Sequence, residues 1–190
     1  MAHPSLWLYR ILLHLGLPIA VPAIAIRDRL TGKRRPPFTE RLLRTPPPVP
    51  TGCLWLQAVS VGEVELTRRL VAELGRVRDA PPVVVTATTA TGLELARRTL
   101  SELATVLPCP LDLPGPLCRL FDAASPRGLA LVETELWPEM LHQAHLRSLP
   151  VAVVNARLSP TSFTRYRRVR SLLRPLLEPL TMVLARDESD

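Results

Sequence analysis

Short apolar runs recur through the chain from residue 54 onward: Leu54 to Ala58, Val83 to Thr86, Thr105 to Leu107, Leu129 to Glu133, Val151 to Asn155 and Met182 to Ala185. Amphipathic stretches separate them at Glu63 to Arg78, Gly92 to Leu103, Leu117 to Ala123, Trp137 to Arg147 and Phe163 to Leu176. Strands that are apolar on both faces and alternate with helices call for a parallel sheet covered on both sides. The pattern therefore predicts a doubly wound, Rossmann-like α/β domain. Right-handed crossovers collect the loops after the strands on one edge, where ligands bind in such sheets. Glu63, the loop from Thr86 to Thr91, Glu133, Glu135 and the loop from Asn155 to Ser159 are expected at that edge. The strand order itself is not fixed by the pattern.

Ahead of this domain the patterning changes. From Ile11 to Ile26 the chain is apolar apart from His14, with Gly16, Pro18 and Pro22 as interruptions. That run falls short of the roughly 20 residues needed to cross a bilayer. Arg27, Arg29, Lys33, Arg34 and Arg35 follow it, which favours a cytoplasmic position beside anionic headgroups over export. Residues 1–35 are read as a membrane anchor, spanning or interfacial, with a basic juxtamembrane segment. A helix packed on a partner domain is the alternative. Residues 36–52 are read as a Pro-rich linker, stiff from Thr45 to Pro50, and residues 53–190 as the globular domain.

A chain of 190 residues with 47% hydrophobic content can bury one core of ordinary size. Its net charge of +7 is local. Residues Arg27 to Arg44 hold seven basic and two acidic side chains, and Arg157 to Arg174 hold six Arg and no acid. Such blocks suit an anionic membrane surface or phosphates. Nucleic acid fits poorly, because only Phe163 and Tyr166 accompany the second block and stacking partners are otherwise scarce. Cys53, Cys109 and Cys118 match neither a disulfide framework nor a paired metal motif, so they read as reduced thiols.

The chemistry concentrates at two strand ends. Ser60-Val-Gly-Glu63 has the spacing of a capping box, and Thr91-Gly-Leu-Glu94 repeats it. The functional alternative for Glu63 is a general base, held ionised beside helix amides. Glu133-Thr-Glu135 puts two acids just past a buried strand, where a lone carboxylate is costly. Either an Arg between Asn155 and Arg168 pairs with them or they position a polar substrate. Ser60, Gly62, Thr88, Thr89, Thr91 and Gly92 offer hydroxyls and close backbone at two strand-to-helix turns, where amides favour anions. Glu139, His142 and His145 recur on one helix face, read as a solvated face in preference to a metal site.

Taken together, Ala58-Val-Ser-Val-Gly-Glu63, Thr86-Ala-Thr-Thr-Ala-Thr-Gly92, Pro110-Leu-Asp-Leu-Pro114, Glu133-Thr-Glu-Leu-Trp-Pro138 and Asn155-Ala-Arg-Leu-Ser159 resemble the 3-deoxy-D-manno-octulosonic acid (Kdo) transferases. The resemblance covers about residues 5 to 190 and the N-terminal half of the family's usual length. It implies a glycosyltransferase of the GT-B type, with two Rossmann-like domains facing across a cleft. It also implies transfer of Kdo from CMP-Kdo to the lipid A precursor in lipopolysaccharide synthesis, at the cytoplasmic face of the inner membrane, with no metal or other cofactor. Glu63 falls on the family's proposed general base and Glu133 on its second important acid. Ser60, Gly62, Thr88, Thr89, Glu135, Asn155 and Arg157 are expected to bind substrate. Gln57 stands where family sequences often carry His, so a proton-carrying role is lost there. Because the chain ends at Asp190, the expectation is an acceptor-side half that needs a C-terminal donor-binding domain. A catalytically inactive, membrane-attached binding module or truncated fragment is the alternative.

Overall fold

A computed structural model describes residues 4–31, 36–45, 48–158 and 160–186. They form helices α1 (Pro4–Thr31), α2 (Phe38–Arg41), α3 (Val61–Leu74), α4 (Ala90–Leu100), α5 (Pro114–Ala124), α6 (Pro138–Leu146), α7 (Pro160–Arg168) and α8 (Arg170–Leu177). The strands are β1 (Leu54–Ala58), β2 (Val83–Ala87), β3 (Thr105–Pro108), β4 (Gly128–Val132), β5 (Val151–Ala156) and β6 (Leu180–Ala185). They make one sheet in the order β3-β2-β1-β4-β5-β6, and every pairing is parallel. The Rossmann-like α/β architecture expected from the pattern is therefore present.

The order decides where a ligand can sit. The chain winds outward from β1 through β2 to β3, then crosses back by α5 to lay β4 on the other side of β1. In open parallel sheets the crevice above such a reversal is the binding site, because the loops diverge there. Here the reversal lies between β1 and β4, whose ends carry Glu63 and Glu133.

Strand alternation builds a core on each face. Leu56, Ala58 and Val85 pack with Val64, Leu93 and Leu100 of α3 and α4. Trp55 and Leu131 pack on the opposite face with Leu120 and Phe121 of α5 and Met140 of α6, and the Trp55 and Phe121 rings meet edge to face at 4.9 Å. Helix α4 shows why its sequence is helical. Leu93, Ala96 and Leu100 are buried while Glu94, Arg97 and Arg98 face solvent, a single apolar stripe at helical spacing.

Several elements differ from their sequence expectation. The N-terminal apolar run is part of one helix of 28 residues that continues through both Pro18 and Pro22. Within 36–52, read as a linker, α2 forms, and the Arg119 guanidinium donates to the carbonyls of Leu42 and Leu43, each at 2.7 Å. Residues 46 and 47 of the Thr45 to Pro50 stretch lie outside the described residues. The stretch from Phe163 to Leu176 is two helices, divided at Val169, whose backbone leaves the helical region. Beyond them β6 is an edge strand whose Met182, Val183 and Leu184 are exposed. An apolar cleft of about 270 Å³ lies beside it, between Leu56, Ala130, Ala152 and Met182.

Candidate active site at the reversal of the sheet

Strand β1 ends at Ala58, and the chain turns through Val59 and Ser60 into α3. Ser60 is the N-cap in extended backbone, but its hydroxyl bonds no helix amide. Instead it donates to Glu63 Oε1 at 2.9 Å, while the Val59 N–H donates to Glu63 Oε2 at 2.6 Å. The capping-box spacing is thus only half used. Its carboxylate reaches back to a free amide, one residue earlier than the box requires, and its serine holds the carboxylate. Two donors fix the Glu63 side chain, yet a carboxylate has about four lone-pair sites, so acceptor capacity remains. Glu63 is 5% exposed. Burial raises its pKa, the Val59 amide and Ser60 hydroxyl partly offset this, and the like charges of Glu135 and Glu133 raise it further. A side-chain atom placed on Gly62 would meet nothing within 4 Å, so the space beside this turn is open.

The β2–α4 turn is clamped to the first. Thr89 N–H donates to the Val59 carbonyl at 2.9 Å, and a methyl on Gly92 would lie 2.8 Å from Thr89 Oγ1 and 3.3 Å from the Ser60 carbonyl carbon. Glycine is required there by close approach. Thr89 caps α4 by accepting from the Gly92 amide at 3.1 Å. Thr91, expected as a cap, lies inside the helix, because the chain turns helical two residues earlier. Below the turn, Trp55 Nε1 donates to Thr86 Oγ1 at 2.8 Å, and the Thr86 hydroxyl donates to Gln57 Oε1. Gln57 Nε2 then donates to Thr88 Oγ1 at 3.2 Å. A polar chain through the fully buried Trp55, Thr86 and Gln57 therefore ends at the half-buried Thr88 in the β2–α4 turn. Gln57 fits it as both donor and acceptor.

On the other side of the reversal, Glu133 follows β4 with φ of 63°, and Asn155 near the end of β5 has φ of 59°. Left-handed backbone is uncommon for a glutamate and costs about 1 kcal/mol or more. The two strained residues are joined across neighbouring strands, since the Glu133 N–H donates to the Val154 carbonyl at 2.8 Å. Thr134 locks the same loops: its hydroxyl donates to the Arg157 carbonyl at 2.6 Å and accepts from the Arg157 N–H at 2.9 Å. Among the described residues no Arg pairs with Glu133 or Glu135, so of the two alternatives the internal ion pair is not formed there. Both acids are half-buried, and burial followed by the charge of Glu133 raises the pKa of Glu135. Three carboxylates thus face one edge without a neutralising cation from the described residues. The Arg157 side chain is exposed. Ser159 lies outside the described residues.

Two acids matter in ways the pattern did not expose. Glu139 is fully buried, not part of a solvated face. Arg10 of α1 grips it with Nε and Nη2 at 2.7 and 2.8 Å, and Gln143 adds a third donor at 2.7 Å. Asp112, within the Pro110-to-Pro114 motif, accepts from the Glu139 and Met140 amides at 3.1 and 2.9 Å and from the Tyr9 hydroxyl at 2.6 Å. It caps α6, whose own N-cap Trp137 has no capping side chain. The available signal was an acid isolated in an apolar, Pro-flanked run, with no charged neighbour to pair with.

Burial pushes the Asp112 carboxyl from 3.8 up to about 6, more than its three donors lower it. Between those values the folded chain holds a proton that the unfolded chain has released, so stability falls as pH rises, by about 3 kcal/mol over the window. Asp112→Asn removes that contribution. Urea titrations from pH 3.5 to 7 should show the wild type losing about 3 kcal/mol more than the variant, and identical slopes would refute the assignment.

The fold is a Rossmann-type domain with Glu63, Glu133 and Glu135 gathered at the reversal of its sheet. The chain belongs to the 3-deoxy-D-manno-octulosonic-acid transferase (kdotransferase) family, whose pattern matches residues 36–190. It is 35% identical over 142 residues to a 3-deoxy-D-manno-octulosonic acid transferase of Haemophilus influenzae, covering 74% of this chain and 33% of that protein. A Bordetella pertussis protein of the same name is 33% identical over 153 residues, 77% of this chain and 35% of its own length. A bifunctional glycosyltransferase/methyltransferase of Fusobacterium nucleatum is 29% identical over 139 residues, 72% of this chain and 22% of the relative. The chain spans about a third of the length of the first two of these relatives.

Proposed function

We propose that this chain supplies the acceptor-side half of an enzyme that transfers Kdo from CMP-Kdo to the lipid A precursor at the cytoplasmic face of the inner membrane. Glu63 is the general base. It takes the proton from an acceptor sugar hydroxyl as that oxygen attacks the anomeric carbon of Kdo and CMP departs, inverting the centre. The observation that carries this reading is the Glu63 carboxylate itself. It is held by Val59 and Ser60, beside open space at Gly62, at the reversal of the sheet. Its raised pKa makes it a stronger base than an ordinary carboxylate, and a base must sit within hydrogen-bond reach of the proton it removes.

Glu133 and Glu135 line the acceptor side of the same cleft, with Ser60, Gly62, Thr88, Thr89, Asn155 and Arg157 supplying hydroxyls, amides and a cation for the sugar and its phosphate. A second, donor-binding half facing this one holds CMP-Kdo, because half a cleft cannot orient a donor against an acceptor. The test is a transfer assay with CMP-Kdo and lipid A precursor, with and without that half. Transfer should appear only in the complemented protein; none there, with Glu63 intact, sinks the enzymatic reading.

The strain at Glu133 supplies a second check. Glu133→Gly relieves the left-handed backbone and should raise stability by about 1 kcal/mol, read in urea unfolding, while lowering transfer by the complemented enzyme. A variant that is less stable, or equally active, contradicts a functional reason for keeping a glutamate in that conformation.

A further inference from the structure

Helix α1 has two faces with different partners. Leu6 is buried, and Tyr9, Arg10, Leu13, Leu17, Val21 and Ile24 are half-buried, a stripe recurring every three to four residues. This stripe meets the domain, where α1 contacts α6 and α8 and the Tyr9–Asp112 and Arg10–Glu139 bonds are made. On the opposite face Leu8, Ile11, Leu12, Leu15, Ile19, Ile26 and Leu30 are all more than half exposed. A continuous apolar stripe of this length on one side of a docked helix marks a contact surface for a protein or a membrane.

By length and composition, the segment Pro4–Ile24 could cross a bilayer. Its 21 residues would extend about 32 Å, matching a hydrocarbon core of about 30 Å. Arg10 would then sit about 9 Å inside one end, with Glu139 and Asp112 drawn in beside it. That would carry the start of α6 and the loops at the sheet edge into hydrocarbon, where exposed irregular backbone is not tolerated. Separating α1 from the domain instead would strip Glu139 of its cation and leave Arg10 in lipid, both costly.

On the reading that α1 meets a membrane, we infer that it lies in the plane of the bilayer surface as a monotopic anchor. It stays docked on α6 and α8, with the Leu8, Leu15 and Ile26 face sunk into one leaflet. Charge and aromatic placement on the adjoining helices agree with an anionic bilayer as the partner. Helix α8 touches α1, and α7, next to it, exposes Phe163 and Tyr166 among exposed Arg165, Arg167 and Arg168, with exposed Val169 at the junction of the two helices. Interfacial rings interleaved with cations are suited to the headgroup layer of anionic lipid. Such a seat brings the sheet-edge loops to a fixed height beside the lipid surface, where a membrane-embedded acceptor presents its sugar.

The experiment places a nitroxide at Leu8→Cys, Leu15→Cys or Ile26→Cys, one at a time, in a Cys118→Ser background; Cys53 and Cys109 are buried. Each labelled chain is bound to phosphatidylethanolamine/phosphatidylglycerol vesicles, checked by flotation, and its depth is read by power saturation. The three positions share one helix face and span about 27 Å along the axis. An in-plane helix puts them at equal, shallow depth. Depths differing by more than about 10 Å, as a crossing helix demands by its rise along the membrane normal, overturn the inference while leaving membrane attachment standing. Failure to float overturns both.

Discussion

Glu63→Gln lowers kcat of the complemented enzyme by about 100- to 10,000-fold, the usual worth of general base catalysis, and leaves KM for the lipid acceptor nearly unchanged. The amide oxygen still accepts from the Val59 N–H, and the amide NH2 donates to the Ser60 oxygen once that hydroxyl rotates, replacing the two bonds that hold the native carboxylate at 2.6 and 2.9 Å. The turn therefore keeps its shape, and a thermal midpoint within a few degrees of wild type confirms it. Only the proton acceptor is lost. The acid limb of the kcat profile should report the same group, above the range of an exposed carboxylate because burial raises it. Glu135 and Glu133 push in the same direction, so Glu135→Gln moves that limb to lower pH. Steady-state rates across pH 4 to 8 would show this. A Glu63→Gln enzyme with wild-type kcat, or a limb that ignores Glu135→Gln, removes Glu63 from the chemistry.

The second large effect is on stability. Arg10→Ala leaves Glu139, which is fully buried, with Gln143 as its remaining side-chain donor. Removing one member of a buried ion pair costs about 3 to 5 kcal/mol, because the other charge stays desolvated and unpaired. Urea unfolding followed by circular dichroism measures the loss. The double variant Arg10→Met with Glu139→Met should recover most of it, since an apolar pair of similar volume carries no such penalty. A loss below about 1 kcal/mol, typical of exposed pairs, would show that the docked arrangement of α1 contributes little. Added salt should change the result weakly, because buried pairs are screened less than surface ones.

These two variants also separate what was legible along the chain from what was not. Glu63 could be singled out because a strand, a small-residue turn and an acid at a helix start leave a local trace. The trace was ambiguous between cap and base, and the geometry shows half a cap: the carboxylate bonds a backbone amide while Ser60 holds it instead of the helix. Glu139 left no such trace. Its partner stands 129 positions away, and the face it shares with His142 and His145 looks polar and solvated when only its own helix is considered. Asp112 was visible as part of a motif but not as the cap of α6 or the hydroxyl acceptor of Tyr9, since neither partner is its neighbour in sequence. The two prolines in α1 were read as interruptions. Their penalty is local, and a long apolar helix docked along one side runs through them.

The linear chain by itself determined the kinds of element and their sequence. Hydrophobic periodicity is set by which faces each strand and helix must bury, and that is a local property, so the six strands and the acids at their ends could be placed to within a few residues. Only the tertiary structure decided the order of those strands, because order depends on which crossovers pack, and no residue spacing encodes it. Laying β4 against β1 brought Glu133 and Glu135 close enough for their charges to raise the pKa of Glu63. The same fold set Glu133 and Asn155 in left-handed backbone and fastened α1 by Arg10 and Tyr9 to acids from distant segments. Contacts of that kind are made in space, where a buried charge must find its partner however far along the chain it lies.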